Sequence, residues 1–220
     1  MMRAAAGLLL CLSLAAAEQA PFGQVSLGAF QQELTQGYGP WKGTVLDLSL
    51  NPWNNGKLLA SVVGFDRPEG RGTVFSAGKY IEFRGGYAYL GLGTSRGADY
   101  LPTRQFTADL NLQTPWSGWV IGGGLTQTKV RDGHDNLLIL LGPAFYAGST
   151  VTTLRGFRNR SDPGSLGSSG ILAQFRHGPR DHEPWQSLRV TVGGDAYQSL
   201  LAREAVHARG MSVGVDAFCP

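Results

Sequence analysis

Arg104–Leu112 reads RQFTADLNL. Phe106, Ala108, Leu110 and Leu112 alternate with Gln105, Thr107, Asp109 and Asn111. Period two is the signature of a β-strand, whose side chains point to opposite faces in turn. One face of this strand is apolar and the other carries a carboxylate. Two folds accommodate such a strand. In a soluble sandwich the apolar face packs on a core and the polar face meets water. In a membrane barrel the apolar face meets lipid and the polar face lines a bore.

The pattern recurs along the chain. In WKGTVLDLSL, starting at Trp41, Asp47 and Ser49 oppose Leu46, Leu48 and Leu50. In SLRVTVGGDA, starting at Ser187, Arg189, Thr191, Gly193 and Asp195 oppose Leu188, Val190, Val192 and Ala196. Nine further stretches rich in Val, Thr and aromatics bring the expected strand number to about twelve. One of them, NLLILLGPAFY, is apolar on both faces and contains Pro143, a departure from a clean interior strand. Helical periodicity is confined to QSLLAREAVHAR, Gln198–Arg209, where a loop helix and an extended hairpin tip are both open.

The connections carry turn chemistry: Asn-Pro, Asn-Gly, Gly-Gly, Asp-Gly and Asp-Pro-Gly. Apart from the tenth, GPRDHEPW, the even-numbered connections are no longer than the odd-numbered ones beside them. Outer-membrane barrels have short periplasmic turns and longer extracellular loops, and this alternation points to one. No repeat of fixed length and no domain linker interrupts the meander.

The start of the chain reads differently. MMRAAAGLLLCLSLAAAEQ has an early Arg3, a short apolar stretch and a small-residue end at Ala15–Ala17. That is the pattern of a secretory signal peptide over residues 1–17, with the barrel over 18–220. Cleavage leaves Cys219 as the single cysteine, which excludes an intrachain disulfide and a zinc cluster built on cysteines. Removal of Arg3 lowers the formal charge from +3 to +2. With no dense basic run and no finger or helix-turn-helix pattern, a nucleic-acid partner is not expected.

The expected fold is therefore all-β, a single antiparallel up-and-down transmembrane β-barrel of about twelve strands after a cleaved signal peptide, in the bacterial outer membrane. Asp47, Gln105, Thr107, Asp109, Asn111, Arg189, Thr191 and Asp195 are expected to face its lumen. Trp41, Trp53, Trp116, Trp119 and Trp185 lie at or near strand ends, where an amphipathic ring suits a lipid–water boundary.

The second half resembles the YaiO-type outer-membrane β-barrel family. The similarity runs from WVIGGGLTQTKVRDGHDNLLILLGPAFYAGSTVTTLRGFRN through GSSGILAQFRHG to SLRVTVGGDAYQ. It implies a bacterial outer-membrane barrel of about twelve strands and no established reaction. Such barrels usually end on an aromatic residue read by the insertion machinery. Here Cys219 and Pro220 follow Phe218, and Asp216 stands where a further apolar residue is common.

Few residues promise chemistry. His134 and Asp135 in VRDGHD form the one candidate acid–base pair, against a plain polar hairpin turn built on Asp-Gly. His177, Asp181 and His182 cluster near a Pro-rich turn, which reads as a solvated turn and not as a metal site. No metal and no cofactor is expected. Arg155, Arg158, Arg160 and Arg176 are expected to pair with Asp109, Asp195 and Glu82 across the lumen, against two alternatives, a basic lumen strip and a lipopolysaccharide-phosphate contact.

The expected role is structural, a narrow channel, or an accessory to envelope glycan or lipid handling. The expected partners are outer-membrane lipid and lipopolysaccharide, the insertion machinery, and an envelope polysaccharide. Two alternatives compete: a lipid-modifying barrel enzyme using His134 or His207 at the rim, and a soluble periplasmic ligand-binding β-barrel.

Overall fold

The computed structural model describes residues 23–33, 40–53, 56–131, 133–162, 166–178, 185–198 and 205–218, with side-chain surroundings for 23–29, 42–52, 56–131, 133–162, 167–178 and 186–193. The leader, Asp181, His182, Cys219 and Pro220 lie outside the described residues. So do the side chains of Trp41, Trp53, Trp185, Asp195, His207 and Phe218.

Twelve strands form one sheet in chain order. They are β1 (Gly23–Glu33), β2 (Pro40–Trp53), β3 (Gly56–Arg67), β4 (Gly70–Phe83), β5 (Gly86–Gly97) and β6 (Pro102–Gln113). Then come β7 (Trp119–Val130), β8 (Asp135–Ala147), β9 (Thr150–Asp162), β10 (Leu166–His177), β11 (Trp185–Gln198) and β12 (Ala205–Phe218). Every consecutive pair is antiparallel, an up-and-down meander. Among the described residues β1 is paired along one edge, with β2, and β12 along one edge, with β11.

The strands run further than the sequence pattern suggests. β11 continues to Gln198 and pairs it directly with Ala205 of β12, so the ends of the segment with helical periodicity are strand. Leu and Ala favour a helix by only tenths of a kcal/mol, and ladder pairing outweighs that preference. Strand growth also erases the expected alternation of loop lengths. The connection β6–β7 spans 114–118, longer than 98–101 and 131–134 on either side. Residues 68–69 and 84–85, at opposite ends of β4, are equally short.

The tight turns follow local chemistry. Gly85 adopts a φ of 92° in the two-residue β4–β5 turn, a conformation L side chains avoid, although a Cβ there would meet nothing within 4 Å. Backbone geometry and not crowding demands glycine. Pro143 sits inside β8. It keeps its place opposite Ile121 of β7, while pairing with β9 lapses between Leu141 and Ala144. Proline has no N–H to donate, and the ladder breaks where that donor is missing.

The two faces are chemically opposite, and in the inverse sense to a soluble protein. The largest fully buried side chain is Asn111, and the buried apolar residues among those described are Leu101, Val120 and Ala144. Leu92 is 67% exposed, Leu141 63% and Leu110 45%. A sandwich would bury these rows against a second sheet. Here they form an apolar face, interrupted by Lys79, with no protein layer over it among the described residues. At about 3.3 Å per residue, a twelve-residue strand tilted by about 45° spans about 28 Å, close to the thickness of a hydrocarbon core.

Candidate functional site

The polar face is concave. Strands three apart in a flat sheet lie about 14 Å from each other. Yet Arg155 on β9 reaches β6, and the hydroxyls of Tyr87 on β5 and Tyr146 on β8 stand 3.4 Å apart. The sheet must curl toward the side that carries these groups.

Arg155 reaches so far because of a row of glycines. The β6–β7 register sets Asn111 opposite Gly122, and the β7–β8 register sets Gly122 opposite Gly142. Gly142 lies beside Arg155, whose Cα would be 2.8 Å from a Cβ placed on it. With no side chains on β7 and β8 in this row, the guanidinium lies flat across both strands. Its Nη1 donates to Asp109 Oδ2 at 2.6 Å and its Nη2 to Asn111 Oδ1 at 2.9 Å. The Asn111 amide donates in turn to the Asp109 carboxylate. A Cβ on Gly122 would stand 2.8 Å from Arg155 Nη2, and one on Gly124 would stand 2.5 Å from Asp109 Oδ2. The Gly122–Gly124 run is thus a saddle under an ion pair.

Tyrosines occupy the neighbouring strands in the same manner. The Tyr89 ring lies over Gly78 and Gly91, where an added Cβ would clash with it. Tyr80 packs against Tyr89 at 4.8 Å and Tyr87 at 6.1 Å between ring centroids. Beyond them the concave face opens into a hollow of about 370 Å³ lined by Ser26, Asp47, Ser49, Ser61 and Ser76. Elsewhere on this face the Thr107 and Thr126 hydroxyls are 3.2 Å apart, and Gln174 donates to Ser187. Gln105 shares the face, as do Arg189 and Thr191 at the far side of the sheet.

The arrangement can hold and exclude. His134 lies in the 131–134 connection, where its carbonyl accepts from Val130 N–H. The Asp135 carboxylate stands 3.9 Å from Lys129 Nζ. His177 meets Thr150 Oγ1 at 3.0 Å. The four arginines grouped in the sequence divide between the two faces, with Arg155 and Arg176 on the concave one. Arg155 is held on the concave face and pairs with Asp109. Arg158 and Arg160 lie on the apolar face, and Arg160 pairs with Asp162 at 3.5 Å.

The two ends of the apolar face differ, and strand-by-strand reading named only tryptophans at strand ends. At the end of the sheet where β1 begins and β12 ends, Phe83, Trp119, Phe145 and Phe175 are exposed. Trp119 packs on Phe145 at 5.0 Å, and Trp116 projects from the neighbouring connection, 73% exposed. At the opposite end the same face carries Arg71, Arg96, Arg104 and Lys129. The signal was available: Arg104 has the parity of Phe106 and Leu110, the wrong parity for a bore.

The family model described as YaiO membrane beta barrel domain matches residues 23–198, most of the chain. No curated protein matches it.

Proposed function

The chain belongs to the YaiO membrane β-barrel family, and from that premise we propose that its sheet closes, β1 onto β12, into an outer-membrane barrel. Hydrocarbon offers no partner to a bare strand edge, so a sheet in lipid closes on itself. The concave face then becomes the bore and the exposed apolar rows meet lipid. Both termini lie on the periplasmic side.

The observation that carries this reading is the Arg155–Asp109 ion pair on the concave face, set against rows of exposed leucines on the other. A soluble ligand-binding barrel requires the reverse.

The bore is narrow. Barrel width grows with strand number, and twelve strands leave limited room once side chains are in place. Arg155, Asn111 and the tyrosines stand inside it, so the barrel is no general porin. Its role is structural, or that of a conduit or accessory for small hydrophilic envelope components. The serine-lined hollow beside Asp47 is suited to a hydroxyl-rich solute such as a glycan segment.

Conductance in planar bilayers tests this. Wild type gives small, infrequent openings, and Arg155→Ala enlarges them. A large unselective wild-type conductance overturns the narrow-bore reading.

A further inference from the structure

On the apolar face, at the end of the sheet away from both termini, cations begin where the hydrophobic rows stop. Arg104 precedes Phe106 on β6, Arg96 follows Leu92 on β5, and Arg71 precedes Phe75 on β4, each with the parity of its apolar neighbour. Lys129 continues the series on β7, and Arg158 and Arg160 continue it on β9. All six are exposed. Arg71 has Asp66 at 3.1 Å, whereas Arg96, Arg104 and Arg158 have no carboxylate partner among the described residues.

Two cations are set against each other. Arg104 and Lys129 are direct cross-strand partners on one face. Like charges placed so destabilise a sheet. An anion between them removes the cost, and Asp135, 3.9 Å from the ammonium, relieves only one side.

These two residues also bound a groove of about 730 Å³ that opens mainly on the apolar face. Phe75, Leu92 and Phe106 form its greasy part, with Arg104, Lys129 and the Asp135 carboxylate along one margin. The opposite rim of this face is marked by the aromatic rings of Phe83, Trp119, Phe145 and Phe175, with Arg84 alone in the turn beside them among the described residues. The asymmetry matches a bilayer whose two leaflets differ in headgroup charge.

We infer that this groove seats a membrane lipid bearing phosphomonoester groups on its headgroup. One phosphate lies between Arg104 and Lys129, and an acyl chain lies along Phe106, Leu92 and Phe75. A phosphomonoester carries nearly two charges at neutral pH and offers three strong acceptors, which suits a facing Arg–Lys pair better than a singly charged diester does. The inference rests on the lipid-facing reading given above.

Native mass spectrometry of the full-length protein refolded in micelles tests the site. The probes are a bis-phosphorylated lipid A, its dephosphorylated counterpart, and phosphatidylglycerol. Wild type retains the bis-phosphorylated form about tenfold more tightly than the dephosphorylated one. Arg104→Gln with Lys129→Gln loses that preference, as does Arg104→Gln alone in part, while Arg189→Gln, a single charge loss on the concave face, keeps it. Equal retention of all three lipids by wild type overturns the site, as does an undiminished preference in the double variant. Displacement of the lipid by millimolar inorganic phosphate also overturns it, since that marks a simple anion site. Failure of the underlying barrel reading appears separately, as a protein that binds none of the lipids and does not insert into vesicles of phosphatidylcholine.

Discussion

Arg155 and Asp109 meet at 2.6 Å across two intervening strands, over positions 122 and 142 where both residues are glycine. The pair is well covered, with about a fifth or less of either side chain exposed. Removing one partner of such a pair leaves a charge without its counterion. Arg155→Ala is expected to cost about 3 kcal/mol in urea unfolding of the refolded protein, and Arg155→Ala with Asp109→Ala to recover part of that loss. A loss in the double variant equal to the sum of the two single losses would deny the coupling.

The saddle makes a second prediction. Gly122→Ala places a methyl group into Asn111 and the Arg155 guanidinium, and is expected to destabilise by about 1–3 kcal/mol. Gly156→Ala meets nothing closer than 3.9 Å and is expected to be neutral or mildly stabilising, since alanine loses less backbone entropy in a strand. Unfolding midpoints of the two variants, measured side by side, separate crowding from a general intolerance of glycine replacement.

A charge on the apolar face distinguishes lipid from water. Leu141→Arg is expected to lower folding stability in vesicles by about 2–4 kcal/mol, the cost of arginine near a bilayer midplane. On a soluble protein a leucine already 63% exposed would tolerate arginine almost without effect.

At the rim near the termini, Trp119 and Phe145 pack at 5.0 Å with their planes tilted by 41°. A double-mutant cycle to alanine at both positions is expected to yield a coupling of about 1 kcal/mol. Zero coupling would mean that each ring is held by its own surroundings.

The strands were legible in the sequence because period two survives in stretches such as RQFTADLNL, whatever medium bathes each face. Near Gln198–Arg209 the helical periodicity left a loop helix and an extended hairpin tip open, and the ladder that pairs Gln198 with Ala205 agrees with the hairpin at the segment's ends, since local helix preference is weak against such pairing. Loop lengths misled because strands extend through residues, such as Thr94–Gly97, that resemble turn.

The polar cluster was half legible. Asp109 and Asn111 stood out by alternation, and Asp109 was among the carboxylates expected to pair with the arginines. Only the register across β7 and β8 selects Arg155, because the choice depends on Gly122 and Gly142 falling in one row. The basic rim was hidden by grouping arginines along the chain. Parity alone already separates Arg155 from Arg158 and Arg160, and Arg104 from Gln105.

The most direct test returns to residues 105–112. Single nitroxide labels are placed along this stretch in a Cys219→Ser background, and the protein is reconstituted in vesicles. Power-saturation EPR then compares collisions with oxygen, which concentrates in hydrocarbon, and with a water-soluble nickel chelate. Labels at 106, 108, 110 and 112 are predicted to favour oxygen, and those at 105, 107, 109 and 111 to be sheltered from it. Even-numbered positions that favour the nickel chelate, or a loss of alternation, would contradict an apolar face in lipid.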